Sequence, residues 1–224
     1  MAKPALTLVV GNKNYSSWSM RPWVAARQAE IPFEEIVLEF DANAGVVDVE
    51  RYSPTRKVPT LLIDGEPVWD SLAICEALAE LYPEKKLWPA DAADAAARRV
   101  ARAICAEMHS GFQSLRNTMS MNIRARYPGK GRSPDTDRDI ARIVEIWTGC
   151  RSRYGAGGAL LFGAFSIADA FFAPVVMRFQ TYGVALPAPA QAYADAVLAL
   201  PGVRAWLADA RTAKAVAKYD SMYG

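Results

Sequence analysis

The pair Asp64-Gly65, set between apolar runs at residues 60–63 and 66–69, constrains this chain more than any other feature. An Asp-Gly pair between two apolar runs is a strong short-range signal for a two-residue hairpin. The two runs therefore pair antiparallel, and what precedes them must fit a sheet with that edge. Residues 5–10 (ALTLVV) form a short apolar run rich in β-branched side chains, stopped by Gly11-Asn12, and read as a buried strand. Residues 20–30 read as a helix in which Pro22 is tolerable only in the first turn. Residues 33–40 read as a second strand and 41–51 as a short helix or irregular segment. On residues 71–82, Ile74, Leu78, Leu81 and Tyr82 share one face of a further helix. A strand–helix–strand unit wants parallel pairing, and the hairpin adds an antiparallel edge. The result is a mixed sheet with helices on its faces.

Beyond Pro83 the pattern changes. Pro83 and Pro89 bracket a short link, and every later segment reads as helix. Residues 92–97 are alanine-rich in the manner of a helix start. Val100, Ile104, Met108, Phe112, Leu115 and Met119 mark one face of a single long helix. Ser133-Pro134-Asp135 opens another, running to about Tyr154, and Gly155, Gly157 and Gly158 make a loop. Residues 166–182 form an apolar helix buried on most sides. Residues 187–200 and 201–218 supply two more, the last opened by Pro201. The expected organisation is an α/β domain at 1–84, a linker at 85–90 and an all-α domain at 91–224.

Charge and cysteine usage remove several classes of function. A net charge of +2 on 224 residues is too small to argue for nucleic acid or an anionic membrane as partner. No stretch approaches the roughly 20 apolar residues of a membrane span. The N-terminal apolar run is too short for a secretory leader, so the cytoplasm is expected. Cys75, Cys105 and Cys150 stand far apart with no CxxC, which argues against a disulfide framework, a zinc site and a dithiol centre. Cys75 lies on an apolar helical pattern and reads as a small buried hydrophobe. His109 is the sole histidine, so no multi-histidine metal site can form and no metal is expected. Lying in a helical segment, it reads as structural or as surface.

Two short segments carry the chemistry. In Ser53-Pro54-Thr55-Arg56-Lys57-Val58-Pro59-Thr60-Leu61, a proline directly precedes a strand and belongs at its first position. An ordinary trans bond at a strand edge is one reading. If the Val58–Pro59 bond is cis, the Val58 N–H and C=O point outward and can pair with an extended peptide. The second segment, Trp69-Asp70-Ser71-Leu72-Ala73-Ile74, joins a strand end to a helix start. Capping alone would explain Asp70 and Ser71. A helix start with free N–H groups and a serine hydroxyl also attracts a carboxylate, and a neighbouring acid can hold an ammonium. Both groups on one carbon are the α-amino-acid end of a peptide.

In order and spacing, Lys57-Val58-Pro59-Thr60-Leu61, the Asp-Gly hairpin and Asp70-Ser71-Leu72-Ala73-Ile74 resemble the N-terminal domain of the glutathione transferase superfamily. Phe165-Ser166-Ile167-Ala168-Asp169-Ala170 is similar to that family's buried S/T-x-x-D box, physically an N-capping box and structural in role. The resemblance implies a thioredoxin-like domain followed by a helical bundle. It implies that Val58 pairs with the cysteinyl unit of glutathione and Ser71 holds the γ-glutamyl carboxylate. Asp70 would hold the amino group, and Lys57 would sit near the glycyl carboxylate. The family often has asparagine and glycine where Ser53 and Arg56 stand here.

Glutathione's thiol, with a pKa near that of free cysteine at ~8.5, needs a donor to stabilise its reactive thiolate. Asn14-Tyr15-Ser16-Ser17-Trp18-Ser19-Met20-Arg21 resembles the S-S-C-S-x-R stretch of zeta-class transferases and maleylacetoacetate isomerases, with Trp18 replacing the cysteine. That match implies Ser16 as first choice for the thiol partner and Ser17 as second, with Tyr15 as rival because other classes use a tyrosine. Met108, Phe112, Arg116 and Asn117 are the candidate lining of a substrate pocket between the domains. The implied function is a cytoplasmic, detoxifying, homodimeric transferase that consumes glutathione as co-substrate on small electrophiles. A maleylacetoacetate-type cis–trans isomerase and a non-catalytic interaction protein are the alternatives.

Overall fold

The structure, a computed structural model, describes residues 3–41, 43, 45–89 and 95–223. Strand β1 (Leu6–Gly11) leads into helix α1 (Ser17–Gln28) and strand β2 (Glu34–Leu38). Two short strands, β3 (Phe40–Asp41) and β4 (Gly45–Val46), pair with each other ahead of a 3₁₀ turn at Val49–Arg51. The hairpin β5 (Thr60–Ile63) and β6 (Glu66–Trp69) follows, then α2 (Ser71–Leu81). The sheet order is β2-β1-β5-β6, with β1 parallel to β2 and antiparallel to β5. This is the mixed sheet expected from the pattern. Asp64 at φ 51 and Gly65 at φ 91 close the hairpin, and the turn is tied down by Asp64 N–H donating to the Ala5 carbonyl.

Six helices follow among the described residues: α3 (Ala95–Ser110), α4 (Gln113–Thr118), α5 (Pro134–Tyr154), α6 (Ile167–Tyr182), α7 (Ala188–Ala199) and α8 (Pro201–Thr212), with a last turn α9 (Ala217–Asp220). The link carries a 3₁₀ turn at Pro83–Lys85, and Leu87 and Trp88 are buried. Residue 90 of the expected linker and residues 91–94, which include Ala92 and Ala93 of the alanine-rich stretch, lie outside the described residues. Helix α6, with every residue but Gln180 buried, packs on α1 and is the spine of the molecule. Helix α8 approaches α1 closely: a Cβ on Gly202 would lie 3.2 Å from the Gln28 nitrogen and 3.3 Å from the Val24 carbonyl. No helix among the described residues is long and apolar enough to cross a membrane.

Three elements differ from the sequence expectation. Helix α1 begins at Ser17, capped by Ser16, so Pro22 sits inside it; Pro22 lacks the N–H that would reach the Trp18 carbonyl. The single long helix expected through Met119 breaks between α3 and α4, where Phe112 takes φ 60. The broken turn is held by Arg116, whose guanidinium donates to the carbonyls of Met108, His109 and Gly111, the open end of α3. The last helix stops at Thr212, because residues 213–216 give their backbone groups to tertiary partners. Asn12 Nδ2 donates to the Lys214 carbonyl at 2.8 Å, and Val216 N–H donates to the Tyr15 hydroxyl at 3.1 Å.

Candidate functional site

The hairpin register sets Thr60 opposite Trp69, so the residues entering β5 lie beside those leaving β6. That juxtaposition makes a cavity of about 530 Å³ lined by Lys57, Val58 and Pro59 on one side and Trp69, Asp70 and Ser71 on the other, with Trp18 across it. The Val58–Pro59 bond is cis, and Val58 lies outside the strand ladder, which begins at Thr60. Arg56 takes φ 54, the left-handed backbone that glycine adopts freely.

Asp70 stands at φ 75, ψ 134 and caps α2: its Oδ1 accepts from Leu72 N–H at 2.8 Å and Ala73 N–H at 3.4 Å. Its other oxygen, Oδ2, lies 3.0 Å from His109 Nε2. Ser71 is buried, and its Oγ accepts from Arg21 Nη1 at 3.4 Å, so its own proton is available to a carboxylate. Arg21 is 1% exposed and lies over the rings of Trp18 (4.3 Å) and Phe171 (4.7 Å). Burial, with Arg116 and Arg178 nearby, lowers its pKa to about 9, which leaves it charged at neutral pH. Burial pushes the thiols of Cys75 and Cys105 upward, so neither supplies a thiolate.

A second cavity, about 330 Å³, adjoins the first and shares Trp18, Lys57 and Val58 with it. Arg56, Lys57, Arg116 and Arg178 reach its wall, and among the described residues no acidic side chain does. Ser16 and Ser17 line it, with different commitments. Ser16 Oγ donates to Ser19 Oγ at 2.7 Å and accepts from Ser19 N–H, while Ser19 Oγ accepts from Gly11 N–H at 3.0 Å. Ser17 Oγ accepts from Arg178 Nη2 at 3.0 Å, which leaves its proton to donate. Arg178 is buried, also donates to the Met119 carbonyl, and has its pKa lowered to about 10 by burial and by Arg116. The Tyr15 hydroxyl is occupied elsewhere: it donates to Asp220 Oδ1 at 2.8 Å and accepts from Val216 N–H and from Arg124.

Of the residues singled out in the sequence, Lys57, Val58, Asp70 and Ser71 meet in the first cavity. Ser16, Ser17 and Arg116 meet in the second. Met108 and Phe112 are buried in the core, and Asn117, exposed on α4, lines neither cavity, so of the four residues expected to line a substrate pocket only Arg116 reaches one. Trp18 as a wall, Arg178 as a donor and His109 as the partner of Asp70 emerge only in the structure. Arg178 had a usable signal, the one basic residue in a mostly apolar helix. His109 had none, since its partner lies on a different element.

Known proteins resemble this chain in sequence and in fold. Residues 15–81 match the family model "Glutathione S-transferase, N-terminal domain", and residues 133–209 match "Glutathione S-transferase, C-terminal domain". The maleylacetoacetate isomerase of Dictyostelium discoideum is 33% identical over 117 residues, 51% of this chain and 52% of that protein. Glutathione S-transferase GstB of Escherichia coli is 26% identical over 188 residues, 79% of this chain and 85% of that protein. The chain spans about half the length of the isomerases it matches from Dictyostelium and Caenorhabditis elegans, 52% and 49%. Among solved structures, a glutathione transferase homolog from Burkholderia with bound glutathione superposes with a TM-score of 0.69 at 25% identity, covering 93% of this chain and all of that one.

Proposed function

The chain belongs to the glutathione transferase superfamily, and from that premise we propose that it activates the thiol of glutathione and directs it at a small anionic electrophile. The observation that carries this is the pair of adjoining cavities, which share Trp18, Lys57 and Val58: one has an acid and a serine at a helix start, the other a serine held by a buried arginine. In the first, Asp70 takes the γ-glutamyl ammonium, Ser71 the carboxylate at its side, Val58 the cysteinyl backbone and Lys57 the glycyl carboxylate. The thiol then lies at the mouth of the second cavity. There Ser17 donates to the sulfur while its oxygen accepts from Arg178, so the guanidinium polarises the hydroxyl and favours the thiolate. Ser16, whose proton goes to Ser19, holds the turn that presents Ser17.

Four cationic side chains without an acid make the second cavity a site for carboxylated electrophiles. This favours a second reading within the same chemistry, isomerisation of the maleylacetoacetate type. The thiolate adds to one carbon of a cis double bond, the resulting single bond rotates, and the thiolate leaves with its electron pair as the double bond re-forms trans. Glutathione is then recovered. The superfamily reading also carries a cytoplasmic, detoxifying role and a two-fold dimer, the latter testable by light scattering.

Steady-state assays separate the outcomes. Conjugation of a chloronitrobenzene supports the transferase, and turnover of maleylacetone with no net loss of glutathione supports the isomerase. Ser17→Ala is expected to lower kcat about 100-fold and leave glutathione affinity within about threefold, by loss of one preorganised donor. Full activity in Ser17→Ala with loss in Ser16→Ala would reverse the assignment of the two serines. No glutathione binding at millimolar concentration would leave a non-catalytic interaction protein.

A further inference from the structure

Asp70 is gripped from two sides. Its Oδ1 is held by the first N–H groups of α2, and its Oδ2 lies 3.0 Å from Nε2 of His109, which projects from α3. The imidazole is clamped in turn. Trp18 meets it edge-on with ring centroids 5.2 Å apart, and Trp18 itself lies against Arg21 on α1 and Arg116 on α4, at 4.3 and 4.7 Å. The far nitrogen, Nδ1, is buried and has no hydrogen-bond partner among the described residues. These contacts select one form of the ring. A neutral imidazole with its proton on Nε2 donates to Asp70 and leaves only a lone pair at Nδ1, whereas a second proton would bury an N–H with no acceptor.

We propose that His109 is a positioning residue for glutathione: its neutral imidazole fixes the Asp70 carboxylate by a single donated hydrogen bond while leaving that carboxylate's full negative charge for the γ-glutamyl ammonium. This rests on the glutathione reading of the first cavity. Asp70 needs such a partner because its side chain is 43% exposed and its backbone stands at φ 75, where a non-glycine residue is strained. A lysine or arginine in place of His109 would also orient the carboxylate, but would satisfy its charge and compete with the ligand's ammonium.

The same geometry makes the site sensitive to acid. The charged groups acting on His109 are Asp70 at the start of α2, Arg21 on α1 and Arg116 on α4. Burial, together with the two arginines, lowers the imidazole's pKa from its ordinary value despite the opposing pull of Asp70. When His109 does protonate, the imidazolium pairs with Asp70 and the ligand ammonium meets a neutralised partner. Ligand affinity therefore falls as pH drops through the His109 titration. By linkage the bound ligand must lower the same pKa further.

The test uses S-methylglutathione, a thioether whose sulfur does not titrate, so thiol ionisation makes no contribution to the pH dependence of binding. His109 is the chain's sole histidine, so its ring signals are unambiguous by NMR. Saturation with S-methylglutathione is expected to shift the midpoint of the imidazole titration down by about one pH unit, equivalent to a tenfold weaker ligand when the ring is charged. In calorimetry near pH 7.5, His109→Ala is expected to bind about tenfold more weakly. His109→Gln, which keeps an N–H donor toward Asp70, should recover to within about threefold and lose the acid-dependent weakening. A purely structural histidine would instead lower stability and affinity in both variants and leave the pH profile of His109→Gln like the wild type. A midpoint that stays put or rises on ligand binding, or an unchanged pH profile in His109→Gln, overturns the assignment. If the wild-type protein does not bind S-methylglutathione at millimolar concentration, the glutathione reading falls and this proposal with it.

Discussion

Two helices of this protein begin with an acid and a serine, and the pairs do opposite things. At α6, Ser166 is the cap in ordinary extended backbone, and Asp169 is fully buried. The Asp169 carboxylate accepts from Leu161 N–H at 3.1 Å, Ser166 N–H at 2.9 Å and Ser166 Oγ at 3.1 Å, so its acceptor capacity is used within a few residues. At α2 the order is reversed. Asp70 is the cap, in positive-φ backbone, and Ser71 is the first helical residue. Asp70 gives one oxygen to its own helix and turns the other toward His109 and the cavity, while Ser71 keeps an uncommitted proton. Residue type does not separate a structural cap from a binding site. What separates them is whether the local chain consumes the polar groups or leaves some facing outward.

That contrast can be broken by mutation, and the largest effect is expected where the carboxylate is buried. Asp169→Ala strands three donors in the core and should cost about 3–4 kcal/mol of stability by urea denaturation. The protein that remains folded should bind glutathione normally. A similar weight attaches to pH. Burial raises the Asp169 carboxyl to about 6, above its unfolded value near 3.8. Between those values the folded state holds more protons than the unfolded. The Asp169 contribution is therefore fully present below about pH 4 and is lost as pH rises through 6. Its size is on the order of 3 kcal/mol. Compared with Asp169→Asn, the wild type should gain relative stability on going from pH 6.5 to 4, and a flat difference between the two would refute this. At α2 the balance inverts. Asp70→Gly suits φ 75 and is expected to change stability by less than about 1 kcal/mol. Because the ammonium loses its counter-charge, glutathione binding should weaken about 30-fold, near 2 kcal/mol by calorimetry. The smallest effect is at Ser71→Ala, about tenfold in glutathione affinity. The matching Ser166→Ala is expected to change stability by about 1 kcal/mol and affinity not at all.

The sheet was legible in the sequence where a local mechanism dictates structure. Asp64-Gly65 can close a hairpin in few ways, and the observed positive φ at both residues is that turn. The break at Phe112 and the end of α8 at Thr212 were not legible. Each depends on a distant partner, Arg116 reaching back to α3 and Tyr15 and Asn12 reaching residues 214 and 216. The same line divides the site. Lys57-Val58-Pro59 and Asp70-Ser71 could be singled out because each is a contiguous stretch with its own geometry. Ser16 and Ser17 could be found as a pair, with Ser16 ranked first by resemblance; the proposed preference for Ser17 rests on Arg178 of α6, which no spacing connects to that loop. His109 pairs with Asp70 only because α3 packs beside α2.

The proposed function depends on an outward-facing helix start receiving the amino-acid end of glutathione. A structure of the protein with glutathione bound tests this most directly. In it, a γ-glutamyl carboxylate oxygen is expected about 3 Å from Ser71 Oγ, the ammonium against Asp70, and the sulfur turned toward Ser17. A tripeptide seated with its glycyl end at Asp70-Ser71, or bound away from this cavity, would contradict it.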